Sequence, residues 1–141
     1  MATVTAFESG LLTLTDGSTA FATDACYAIL VNGYVFNASH SDYSDVSGGE
    51  LSTTGDYDRV ALASKSVGVA GGKIVYDCAD ISFGDPVSIG PADGVVILKG
   101  TAGSPQSSDT LLFYAPLSDV ESTDAVFSIN SPNGLYEIDI A

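Results

Sequence analysis

Short apolar and β-branched segments run the whole length of this chain, and each is ended within a few residues by glycine, asparagine or aspartate. The turn signals are Asp16-Gly17, Asn32-Gly33, Gly48-Gly49, Gly71-Gly72, Asp93-Gly94 and Pro132-Asn133-Gly134. These residues tolerate positive φ or preset a turn. Because helical periodicity is nearly absent between them, the pattern predicts an all-β chain.

Eight segments between the turns are rich in residues that favour strands. The predicted strands are Leu11 to Thr15, Tyr27 to Val31, Val60 to Val69, Lys73 to Cys78, Val95 to Lys99, Thr110 to Ala115, Val126 to Ile129 and Tyr136 to Ile140. That number favours a two-sheet β-sandwich or a barrel-like sheet. The segments Val95 to Leu98 and Leu111 to Tyr114 are apolar at every position, which predicts central strands covered on both faces.

The remaining segments predict loops and one solvated strand. The stretch from Asn37 to Gly55 is one long irregular loop region, in which Ser41 to Val46 would form one helical turn capped by Ser41. Thr101 to Asp109 predicts a surface loop. In the last strand Tyr136, Ile138 and Ile140 share one face, so the opposite face is acidic and half-solvated.

A length of 141 residues fits one core, so we expect a single β domain over residues 1–141, with residues 1–22 as an arm or an edge strand. Charged residues make up only 16% of the chain, too few for a disordered protein. Met1 to Gly10 has no basic stretch and contains Glu8, and the apolar runs are short. We therefore expect neither a secretory signal nor a membrane span, and synthesis in a cytoplasm.

The charge balance restricts the partners. Only four basic residues stand against 18 acidic ones, for a net charge of -14. Nucleic acid and anionic membranes are bound through clustered Lys and Arg, and here the cations are scattered singly through the middle of the chain. The composition therefore predicts neither partner.

Few residue patterns point to chemistry. His40 lies between Ser39 and Ser41 with Asp42 nearby, but no nucleophile elbow accompanies it, so a hydrolytic triad is disfavoured. One histidine and two distant cysteines do not make a zinc site. Three pairs of carboxylates are candidates for a calcium site: Asp56 with Asp58, Asp77 with Asp80, and Glu137 with Asp139. If two such carboxylates lay on either side of a bound sugar, they could also cleave a glycosidic bond. Solvated acidic loops are the simpler interpretation of all three pairs.

No cofactor or catalytic residue is predicted from these patterns. Cys26 and Cys78 lie in or beside apolar stretches, which predicts two reduced core residues, and a disulfide between them is the alternative.

Several segments together resemble small structural proteins of tailed bacteriophages. They are Tyr27 to Val31, His40 with Tyr43 to Val46, Gly55-x-Tyr57 with Leu62 and Lys65 to Val67, Tyr76 to Phe83, Gly94 to Lys99, Ser104-Pro105 before Leu111 to Tyr114, and Asn133-Gly134-Leu135. The resemblance begins near Asp24 and covers most of the chain. It departs at Val60-Ala61, where relatives tend to carry glycines, and in the loop after Val31.

The resemblance implies a virion component, a decoration or cement protein on the outer surface of the capsid. Its partners would be the major capsid protein and two further copies of itself in a homotrimer. The candidate interface residues are Tyr34, Phe36, Tyr43, Tyr57 and Arg59. A tail or fibre-associated module that binds a host surface is the alternative, and a small hydrolase that uses His40 or an acidic pair is the third hypothesis.

Overall fold

The computed structural model describes residues 4–129 and 134–139. Within them the chain forms eight strands, one α-helix and two 3-10 turns. In chain order these are β1 (Thr5–Ala6), α1 (Glu8–Asp16), β2 (Cys26–Val31), the 3-10 turns Tyr43–Asp45 and Ser47–Gly49, β3 (Val60–Ala61), β4 (Ser66–Ala70), β5 (Lys73–Asp77), β6 (Ile81–Lys99), β7 (Leu111–Ile129) and β8 (Tyr136–Asp139).

The strands form two antiparallel sheets. Five strands lie in the order β1-β7-β6-β2-β3, and three in the order β4-β5-β8. A first apolar core contains residues of both sheets, and in it the rings of Tyr76 on β5 and Phe113 on β7 lie 5.8 Å apart. This all-β, sandwich-like architecture confirms the predicted fold class. Residues 37–55 also form the predicted irregular region, with 3-10 turns and isolated bridges as their only regular structure.

All six residues of β2 are buried, because each face of the strand meets a core. Cys26, Ala28 and Leu30 belong to the first core, between the sheets. The alternate residues, which point to the opposite face, belong to a second core with Phe7 and Val46. Since the second sheet covers only one face of β2, the loop that follows β2 must cover the other.

The predicted central strands are confirmed. Val95 to Leu98 and Leu111 to Phe113 are buried, and only Tyr114 is half-exposed. Leu98 pairs with Leu111 while Ile97 pairs with Phe113, so Leu112 is an extra residue on β7. This β-bulge places Leu112 in the first core beside Phe113.

The predicted strand Leu11 to Thr15 is wrong, because these residues lie in α1. Their threonines satisfy helical carbonyls: Thr13 Oγ1 donates to Gly10 O at 2.7 Å and Thr15 Oγ1 to Leu11 O at 2.8 Å. Gly17, with φ of 87°, ends the helix in the left-handed conformation. Residues 1–22 thus supply the edge strand β1 and a helix, with residues 1–3 outside the described range.

The predicted continuous strand Val60 to Val69 is also wrong. Val60 and Ala61 pair with β2, whereas β4 pairs with β5 in the other sheet. Between the two strands Ser64 has φ of 53°, a left-handed conformation that interrupts an extended chain. The chain therefore crosses from one sheet to the other where one strand was predicted.

Two further predictions are wrong: the predicted turn Asp93-Gly94 lies inside β6, and the predicted strands Thr110 to Ala115 and Val126 to Ile129 belong to one strand, β7. The remaining local predictions hold with small changes. The helical turn is the 3-10 turn Tyr43–Asp45, but its N-cap is Asp42, and the Ser41 backbone N–H donates instead to Asp45 Oδ2 at 2.9 Å. Thr101 to Asp109 is a largely exposed loop. In β8, Tyr136 and Ile138 pack on the first core, and the predicted Ile140 lies outside the described residues, as do Pro132 and Asn133 of the last turn.

Cys26 and Cys78 are buried free thiols, as predicted. Burial raises the pKa of each thiol from 9.0 to about 11. At neutral pH both thiols are therefore protonated and poorly nucleophilic.

Candidate binding surface

The long loop after β2 covers the second core, and we call residues 32–59 the loop platform. The loop leaves β2 at Asn32, whose Nδ2 donates to Pro91 O at 2.9 Å, and Gly33 N–H donates to Asp93 Oδ2 at 2.9 Å. It returns beside the same strand, since Asn32 N–H donates to Gly49 O at 2.8 Å and Leu51 N–H to Leu30 O at 3.0 Å. Both ends of the loop are thus attached to the sheet.

A second set of bonds joins the loop platform to the connection between β6 and β7. Tyr43 N–H donates to Asp109 O at 2.9 Å, and Ser44 N–H donates to Ser107 O at 3.1 Å. The Asp109 carboxylate also accepts the hydroxyl of Tyr27 at 2.8 Å. Burial and this bond raise the pKa of Tyr27, so its hydroxyl remains a donor.

The Glu50 carboxylate is the centre of the polar interior of the loop platform, and its side chain is only 5% exposed. It accepts hydrogen bonds from the hydroxyls of Tyr43 and Tyr57, the latter at 2.7 Å. Arg59 Nη2 donates to Glu50 Oε1 at 3.1 Å, and Arg59 Nε lies 2.9 Å from Oε2. The structure therefore brings Tyr43, Tyr57 and Arg59, three of the predicted interface residues, onto one acidic group.

The protonation states of this group follow from its contacts. Burial raises the pKa of both Tyr43 and Tyr57, and the bond to the Glu50 carboxylate raises each further. Burial opposes the charge on Arg59, but its bonds to Glu50 and Tyr43 outweigh that effect and raise its pKa. Neutral phenols and a charged guanidinium therefore surround the carboxylate.

The other two predicted interface residues, Tyr34 and Phe36, lie near the start of the loop and are half-buried. Phe36 stacks on Tyr114 with ring centroids 5.2 Å apart, and the Tyr34 hydroxyl lies 2.7 Å from His40 Nδ1. Both rings pack against the second core. In the isolated chain they cover that core.

Val35, between these rings, points the other way and is 81% exposed. Sequence reasoning missed it, although the alternation of Tyr34, Val35 and Phe36 was a usable signal, because neighbouring side chains of an extended segment point to opposite sides. Tyr57, by contrast, is only 4% exposed. The loop platform thus presents a valine to solvent and keeps its predicted aromatic residues partly or wholly inside.

The side chains that the sequence offered as candidates for catalysis or metal binding make hydrogen bonds within the chain. Nδ1 of His40 faces Tyr34, while Ser39 Oγ donates to Asn37 Oδ1 at 2.7 Å. Asp56 Oδ2 accepts the Ser88 N–H at 2.8 Å. Among the side chains that the structure describes, no group of three or more from His, Cys, Asp or Glu is arranged to hold a metal ion.

Sequence and structure comparisons supply no relative for this chain. A scan against protein-family models, a search of curated proteins and a search of solved structures each found no match. None of the helices in the described part of the chain is long and apolar enough to cross a membrane. Any inference about function therefore rests on the residues and geometry of the chain itself.

Proposed function

We propose that this chain is a virion structural protein, a decoration protein that binds the major capsid protein on the outside of a tailed-phage head. The resemblance in sequence motivates the proposal. The loop platform is the observation that carries it, because a long loop is held in one conformation by buried polar contacts and presents the exposed side chain of Val35.

Preorganisation is the physical advantage of such a loop. Ordering a mobile side chain at an interface costs roughly 0.5–1.5 kcal/mol, and ordering a flexible loop costs more. In this chain the contacts of Glu50 with Tyr43, Tyr57 and Arg59 order the loop during folding, before any partner binds. A partner then meets a surface whose shape is already set.

Charge supports a position outside the head. A net charge of -14 repels packaged nucleic acid, which itself is a polyanion. A decoration protein stabilises a capsid because it binds the assembled lattice better than loose subunits. The homotrimer implied by the resemblance stays a prediction for the protein bound to the capsid, and the arrangement of its copies on the capsid surface tests it.

Co-sedimentation with purified heads tests the proposal. Heads that lack the protein should bind the added wild-type chain, and Val35→Glu should weaken binding about tenfold or more, as expected for an anchor placed in an apolar contact. Leu12→Glu is the matched control, since Leu12 is 62% exposed on α1, outside the loop platform. Failure of the wild-type chain to bind heads would overturn the proposal, and binding to tails alone would favour the tail-module alternative.

A further inference from the structure

Four strands end the two sheets, and the parts of β6 and β7 that extend beyond β2 and β1 carry prolines and carboxylates. One of the four end strands lacks the usual protection against pairing. β1 and β3 have two residues each, and β8 presents the exposed Glu137. β4 has five residues, carries no charge and is exposed along its whole length. Natural β proteins shorten, charge or cover their edges to prevent association, so a long apolar edge indicates a pairing site.

The exposed valines of β4 continue the apolar face of its sheet. Val67 and Val69 pair with Tyr76 and Ile74 of β5, which pack in or against the first core, and paired residues share a face. Yet Val67 is 44% exposed and Val69 is 73% exposed. The inner face of the three-stranded sheet therefore extends beyond the part of the core that the described residues cover.

The hairpin turn determines which backbone groups of β4 face outward. Gly71 and Gly72, with φ of 57° and 76°, form a two-residue turn closed by the pair Ala70 and Lys73. The residues that close such a turn exchange hydrogen bonds, and bonded pairs alternate along an antiparallel ladder. The N–H and C=O groups of Val67 and Val69 thus point to the outer side, where the described chain provides neither a paired strand nor another backbone hydrogen bond.

The edge is complementary to itself. The sequence Val67-Gly68-Val69 reads the same in both directions, so two copies that pair antiparallel about Gly68 place Val67 opposite Val69 of the second copy. Both resulting pairs consist of residues whose backbone groups face outward. The register also sets Lys65 opposite Gly71, and no like charges lie directly opposite each other.

Charge favours contact between copies at this edge over any other part of the chain. Residues 59–76 contain three of the four basic residues and no carboxylate, in a chain of net charge -14. Two copies approaching elsewhere bring acidic surfaces together. At β4 this repulsion is weakened, because Lys65 and Lys73 flank the strand and offset the carboxylates of Asp77, which lies opposite Ser66, and of Glu137, which lies 2.9 Å from Lys73 Nζ.

We propose that β4 is a self-association site at which two copies join edge to edge about a two-fold axis through Gly68. The joined sheets form one six-stranded sheet, in the order β8-β5-β4 followed by β4-β5-β8 of the second copy. The contact is isologous and buries the four valines together. It depends on neither the capsid nor the loop platform.

Sedimentation equilibrium of the purified chain tests this proposal in the absence of any capsid. The wild-type chain, 14.4 kDa as a monomer, should approach twice that mass as concentration rises. Val69→Glu and Val69→Pro should raise the dimer dissociation constant about tenfold or more. Proline at this position removes an outward N–H and leaves the β4 to β5 ladder intact, so thermal unfolding should show a folded monomer. Val35→Glu is the matched control and should dimerise as the wild type does.

A cysteine placed on the axis provides a second readout. In the proposed register the two Gly68 Cα atoms lie about 4.5 Å apart, within disulfide range, and a Cβ at Gly68 has no atom within 4 Å. Gly68→Cys should form a disulfide dimer on mild oxidation. Ser66→Cys should not form this disulfide. In the proposed register Ser66 lies opposite Ala70 of the second copy, so the two introduced cysteines are four residues, or about 14 Å, apart along the strands. A monomer at all concentrations, a trimer that Val69→Pro leaves unchanged, or equal cross-linking of the two cysteine variants would overturn the proposal.

Discussion

Arg59 Nε lies 2.9 Å from Glu50 Oε2, and the two side chains are only 19% and 5% exposed. Glu50 lies where the long loop returns to β2, while Arg59 immediately precedes β3. The ion pair therefore joins the two ends of residues 50–59 inside the loop platform. Removing one partner of such a pair leaves the other charge buried and uncompensated.

Glu50→Gln should lower the free energy of unfolding by about 3 kcal/mol, the usual cost of an unpaired buried charge. Glu137→Gln is the matched control, because the pair of Glu137 with Lys73 has side chains 37% and 43% exposed. An exposed pair contributes about 0–1 kcal/mol, so the control should change little. Urea unfolding of both variants measures the difference, and equal losses would contradict a central role for Glu50.

Gly10→Ala should destabilise the protein by about 1–3 kcal/mol, as overpacking does. In an exposed helix the same change stabilises by up to about 1 kcal/mol, but a Cβ at Gly10 would overlap the backbone carbonyl of Leu111. Gly48→Ala is the control, since a Cβ there meets no atom within 4 Å. Thermal or urea unfolding checks the sign, and a stabilised Gly10→Ala would show that α1 does not rest on β7.

The buried thiols should make the protein less stable between pH 9 and pH 11. The pKa of Cys26 and of Cys78 is about 11 in the folded chain, above the ordinary value of 9.0. In this window the unfolded chain releases thiol protons that the folded chain retains, so the free energy of unfolding falls as pH rises. The full contribution is present below pH 9.

Urea unfolding across this range should show a shallower fall for the double variant Cys26→Ala with Cys78→Ala. Tyr57 and Tyr27, whose pKa values are also raised by burial, contribute equally in both proteins. A wild-type stability that rises from pH 9 to pH 11 would contradict the burial of the thiols. Rapid alkylation of either cysteine in the folded protein at pH 7 would do so as well.

The two proposed contacts should separate cleanly by mutation. Val35→Glu should reduce binding to heads and leave the mass in solution unchanged, because Val35 lies in the loop platform. Val69→Glu should raise the dimer dissociation constant about tenfold or more and leave head binding unchanged, since Val69 lies on β4. Co-sedimentation and sedimentation equilibrium on the same two variants check this. Loss of both properties in either variant would indicate one shared contact or a damaged fold.

Sequence patterns predicted the central strands well because continuous apolar runs report burial on both faces. Val95 to Leu98 and Leu111 to Phe113 are such runs, and each is buried. The same reasoning failed at Leu11 to Thr15, where alternating apolar and β-branched residues resemble a strand. Its helix rests on β7 through the close contact of Gly10 with Leu111, which local sequence does not show, and the glycine at position 17 is compatible with the end of a strand as well as of a helix.

The candidate site was predicted less completely than the fold. Tyr43, Tyr57 and Arg59 were named from the sequence, but Glu50, which joins them, was not. A single carboxylate in an acidic chain gives no signal of burial, since only the return of the loop to β2 places it inside. The sequence also did not predict that β4 is an edge strand. Val60 to Val69 was predicted as one strand, because the pattern of hydrophobic residues gives no sign that the chain passes from one sheet to the other near Ser64.

The copy number of the chain in purified phage particles tests its role in the head most directly. A decoration protein occupies repeated positions over the whole capsid, so quantitative electrophoresis should show it in amounts comparable with the major capsid protein. A tail component would be limited by the closed symmetry of the tail to tens of copies at most. Tens of copies or fewer per particle, or no band from the chain at all, would contradict the account.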